Sequence, residues 1–175
     1  MIPDVHRPRR PSFAIWFPLA VYALTRLIDV GFILAAQRHQ IPLPDLGKPA
    51  HPGYFAVATN WDGEWYRSIA LHGYPSILPR QSTGAVAMSA WGFYPAYPFA
   101  VGALTRLTGL GFNLIAPLVS FLLGAAAVVV MYRLVNQTTG RLVASATVVL
   151  VCTYMAAPVM QISYTESMAL LLACS

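Results

Sequence analysis

Residues 113–135, NLIAPLVSFLLGAAAVVVMYRLV, form an uninterrupted apolar run. In a helix rising 1.5 Å per residue, such a run covers about 34 Å, enough to cross a hydrocarbon layer of ~30 Å. It is read as a membrane-spanning helix over 112–135. The composition agrees. Only 10% of the 175 residues are charged against 57% hydrophobic, with mean hydropathy +0.59. Soluble chains carry about 25% charged residues, so lipid is the expected solvent and an all-α, polytopic bundle the expected fold.

The run leads into a short polar loop, 136–141, flanked by Arg133 and Arg141. Basic residues mark the cytoplasmic side of membrane helices. Arg7, Arg9 and Arg10 in the N-terminal stretch 1–11 precede another apolar run, 12–36, which is too long for a signal-peptide core. Both ends therefore place 1–11 and 136–141 in the cytoplasm and residues 37–111 outside it. A third span is expected over 142–157, closed by Pro158. Residues 158–175 begin a fourth helix that stops in mid-run, the mark of the front part of a longer protein.

A formal charge of +5 with a pI near 9.5 would point to nucleic acid in another chain. Here the basic residues flank apolar runs instead of sharing a polar face, which excludes that partner. Cys152 and Cys174 lie within apolar runs without metal-ligand spacing, and His6, His39, His51 and His72 show none either. No metal and no cofactor are expected. Asn136-Gln137-Thr138 has the form of a glycosylation acceptor, but a cytoplasmic loop is not modified.

Within the outer segment, Pro42, Pro44, Pro49 and Pro52 make 37–60 a loop. Residues 61–73, WDGEWYRSIALHG, carry Trp61, Trp65 and Ile69 at helical spacing and are too short to span. They read as a helix lying in the membrane interface. Residues 93–109 read as a second interfacial or re-entrant helix, with a short full span as the competing reading.

Ionisable residues near lipid are the candidates for chemistry. Arg26 and Asp29 share one face of the first span, either as an ion pair steadying the packing or with Arg26 against a lipid phosphate; depth in the bilayer separates the two. Asp62 is the sharper candidate. Gly63 beside it permits close approach to the backbone, and Trp61, Trp65 and Tyr66 offer flat faces suited to sugar rings. There a carboxylate can act as general base towards a hydroxyl, and Arg67 can meet phosphate oxygens. The plainer reading is an interfacial aromatic belt with solvated acids, and Tyr94 and Tyr97 fit such a belt too.

Three segments, WDGEWYRSIALHGYP, FYPAYPFAVGALTRLTG and APVMQISYTESMALLL, resemble in order the signature segments of PIG-V-like mannosyltransferases, membrane enzymes of the GT-C fold. The last departs by Thr165 where those members carry Ser. The resemblance covers about residues 12–175, the front part of such a protein. It implies two juxtamembrane helices in the first outer loop and transfer of mannose from a polyprenyl-phosphate-linked donor to a lipid-linked or glycan acceptor. It also implies Asp62 as catalytic base. Sugar contacts would come from Trp61, Glu64, Tyr66, Tyr94, Tyr97, Tyr164 and Glu166, with Arg67 near the leaving phosphate. Membrane lipid is the remaining partner. A transporter or lipid-binding protein, with Asp62 and Glu166 lining a path, is the alternative; another is an inactive fragment.

Overall fold

The computed structural model describes residues 13–175; the basic stretch 1–11, with His6, Arg7, Arg9 and Arg10, lies outside them. The described residues form seven α-helices and no strand: α1 Phe13–His39, α2 Tyr54–Val57, α3 Asp62–His72, α4 Ala96–Thr108, α5 Phe112–Thr139, α6 Arg141–Thr153 and α7 Glu166–Cys174. Two of these, α1 and α5, are long and apolar enough to cross a membrane, with mean hydropathies of 1.8 and 2.5. At thirteen residues, α6 extends only about 20 Å, and the nine-residue α7 is shorter still.

Several boundaries differ from the sequence reading for identifiable reasons. α1 continues to His39, since nothing opposes helix until Pro42 pushes Ile41 out of the helical region. The stretch expected to be loop also contains the single turn α2. The expected loop 136–141 is mostly helical. Thr138 and Thr139 turn their hydroxyls back to the Val135 carbonyl at 3.1 and 2.9 Å, and the chain reverses on Gly140 alone, at φ 89°.

The helix expected over 142–157, α6, ends at Thr153, not Ala157. Pro158 has no N–H to give the Tyr154 carbonyl, and the Ala157 amide takes that carbonyl instead, opening a 3-10 turn over Ala157–Gln161. Residues 158–165 are consequently not α-helix, and α7 starts only at Glu166.

α5 is the central element and packs against α1, α4, α6 and α7. Its two ends serve separate cores. One gathers Tyr22, Val128, Met131, Tyr132, Val148 and Cys152 between α1, α5 and α6. The other gathers Tyr66, Ala70, Tyr97, Val101, Phe112 and Ile115, fastening α3 and α4 to the start of α5. The α3–α4 crossing depends on Gly102: a Cβ there would lie 2.7 Å from the Ala70 carbonyl oxygen. On its other side α1 exposes Leu24, Leu27, Ile28 and Phe32.

Candidate functional site

Asp62 is the first residue of α3, where the partial positive charge of the helix end favours a carboxylate. The residue before it is strained. Trp61 holds φ 58° and ψ −116°, a region glycine visits freely and other residues enter at a cost of about 1–3 kcal/mol. This sharp entry aims the first turn of α3. Tyr66, Ile69 and Ala70 then form the buried face. The Tyr66 ring meets Tyr97 and Phe93 edge-on, with centroids 5.4 and 5.3 Å away.

The segment before α7 docks on this helix end. The Ser163 amide donates to the Ala58 carbonyl at 2.8 Å, and its hydroxyl lies 3.2 Å from that of Thr59. Gly63 makes the approach possible, since a Cβ there would meet the Ser163 Cβ at 3.2 Å. The openness read in Gly63 is thus occupied by this chain's own backbone, not left for a substrate. Two residues on, the Tyr66 and Thr165 hydroxyls are 3.1 Å apart. Ser120 on α5 donates to the Tyr164 carbonyl at 2.9 Å.

Asp62, Tyr66, Tyr164 and Glu166 consequently share one place, where the N-terminal ends of α3 and α7 converge. Burial pushes the Tyr66 and Tyr164 phenols above their usual range, so both stay neutral and can donate hydrogen bonds. Glu166, at the head of the short α7, is exposed along much of its length. Protein around its carboxyl still removes water from the charged form and raises its pKa, and the Asp62 carboxylate adds to that rise. Two acids at two converging helix ends can between them grip hydroxyls and accept a proton from one.

No family model, no curated protein and no solved structure matches the chain.

The other sequence candidates lie elsewhere. Trp61 and Tyr94 are 70% and 82% exposed, with side chains in the open. Tyr97, read as a belt aromatic and sugar contact, is instead a core residue. Its hydroxyl lies 2.8 Å from both the Ala116 carbonyl oxygen and the Ser120 hydroxyl, and it supports the site from beneath. Glu64 and Arg67 occupy the far face of α3; five residues place Arg67 about 140° around the helix from Asp62. There Glu64 pairs with Lys48, the chain's only lysine, which also donates to Asn60 Oδ1 at 3.0 Å. Sequence reasoning passed over Lys48, Ser163 and Ser120, because each acts through a partner distant in the chain.

Arg26 and Asp29 form an ion pair at 2.9 Å. Arg26 is 2% exposed and also donates to the Ala157 carbonyl and, at 3.0 Å, to the Cys152 carbonyl. It thereby satisfies carbonyls left free where α6 ends, a packing role.

Proposed function

We propose that this chain carries the acceptor-activating edge of a membrane glycosyltransferase resembling the PIG-V-like mannosyltransferases, built as a GT-C helical bundle. In this reading α1 and α5 cross a cell membrane with the N-terminus cytoplasmic. The segment holding α3 and α4 lies outside, and the apolar side chains that α1 exposes face lipid. The enzyme transfers mannose from a polyprenyl-phosphate-linked donor to a lipid-linked or glycan acceptor.

The observation that carries the reading is the contact between Tyr66 and Thr165. It joins the Trp61–Tyr66 stretch to the Tyr164–Ser167 stretch, while Tyr97 of the middle motif packs under both. Three motifs spread along the chain thus serve one cluster.

Chemically, Asp62 accepts the proton of an acceptor hydroxyl as its oxygen attacks the anomeric carbon of the donor sugar. The bond from that carbon to the phosphate oxygen breaks, its electron pair leaves on polyprenyl phosphate, and the sugar inverts. Glu166 and the Tyr164 phenol hold sugar hydroxyls. General-base catalysis of this kind contributes about 10²–10⁴-fold.

Asp62→Asn, assayed in native membranes with polyprenyl-phosphate mannose, is expected to lose turnover by that factor at normal expression. Unchanged turnover would remove Asp62 as the base. For the topology, cysteines placed at Ser82 and Thr138 should label from the outside and the inside respectively, and the reverse pattern would invert it.

A further inference from the structure

The far face of α3 holds a polar pocket that the transfer chemistry does not use. It has a volume of about 170 Å³, and Lys48, Asn60, Glu64, Arg67 and Asn113 line it. The Lys48 side chain is only 18% exposed, an unusual placement for an ammonium on a loop. Its charge is balanced by Glu64. Arg67 has no ion-pair or hydrogen-bond partner among the described residues, so the pocket keeps one uncompensated positive charge. Its wall also contains a buried acceptor with nothing to accept from: Asn113 Oδ1, near the start of α5.

The geometry points to a binding site for a phosphodiester that carries free hydroxyls, as in the glycerol headgroup of an anionic membrane lipid. One net positive charge matches the single negative charge of a diester better than the double charge of a monoester. Arg67 offers paired donors to phosphate oxygens, and Lys48 retains a third N–H beyond its two partners. The unpaired Asn113 oxygen and the Glu64 carboxylate both require donors, which the hydroxyls supply. A choline headgroup lacks those donors and brings a second cation towards Arg67.

The test uses the full chain in phosphatidylcholine nanodiscs containing either phosphatidylglycerol or phosphatidylethanol, with retained lipid counted by native mass spectrometry. The two diesters bear the same charge and differ in the hydroxyls. Phosphatidylglycerol should be retained over both other lipids. Arg67→Ala should reduce its retention about tenfold while leaving the melting temperature in pure phosphatidylcholine unchanged, since Arg67 has no internal partner. Asn113→Leu should bring phosphatidylglycerol down to the level of phosphatidylethanol. Soluble glycerophosphoglycerol that competes at equal concentration assigns the site to a free diester; failure to compete assigns it to the lipid. Asp62→Asn should retain the lipid as well as the unaltered chain does, which keeps this proposal separate from the transfer reaction. Retention of phosphatidylglycerol no better than phosphatidylethanol, or unchanged by both Arg67→Ala and Asn113→Leu, overturns it.

Discussion

The hydroxyls of Tyr66 and Thr165 meet at 3.1 Å although the two residues are 99 positions apart. Tyr66 is 6% exposed, so its hydroxyl depends on this partner. Tyr66→Phe is expected to cost about 1 kcal/mol and to loosen residues 163–166 without displacing the ring. Lower protection of that segment in hydrogen exchange, with α3 unaffected, is the signature to look for.

Glu166 gives the site a pH dependence of definite sign. Its carboxyl is raised in the folded chain by burial and then by Asp62, so the folded state holds this proton more tightly than the unfolded state. The stability it contributes is fully present below the ordinary value of 4.5 and is lost as pH rises from there through the folded-state pKa. Melting temperatures across that window should fall with rising pH less steeply in Glu166→Gln. Parallel curves for the two proteins would contradict the assignment.

The Arg26–Asp29 pair is predicted to be costlier to break than to replace. Arg26→Leu strands Asp29 and frees the Cys152 and Ala157 carbonyls, at a cost of about 3–5 kcal/mol. Adding Asp29→Leu should relieve much of the charge penalty but not replace the lost carbonyl bonds. Denaturant titration in micelles of both single variants and the double variant measures the coupling.

Gly102→Ala tests the α3–α4 crossing. The added methyl would press on the Ala70 carbonyl, which belongs to backbone and cannot rotate away, so the helices must separate. A loss of about 1–3 kcal/mol in thermal unfolding is expected. Gly31→Ala, where the added methyl meets nothing, is the control.

The long helices were legible because their signals are local. The apolar runs, Pro42 and the aromatic spacing of 61–73 placed α1, α5 and α3 to within a few residues. Reading Asn136–Thr139 as loop failed because polar residues without a breaker extend a helix when their hydroxyls can bond back along it. Of the candidate site, Asp62, Tyr66, Tyr164 and Glu166 could be named but not joined. The separation of Arg67 from Asp62 is already implied by five residues on one helix, whereas the burial of Tyr97 follows from packing that no single stretch encodes.

The docking of residues 163–165 on α3 also imposes an order in time. A ribosome adding about 5–20 residues per second needs roughly 5–20 s to travel from Tyr66 to Thr165. Throughout that interval the Asp62-bearing helix end has no lid, and Gly63 presents bare backbone where Ser163 will later rest. The cluster is thus completed only once residues 163–165 have been made, so a nascent chain holds every motif residue of α3 well before it holds the partners they meet.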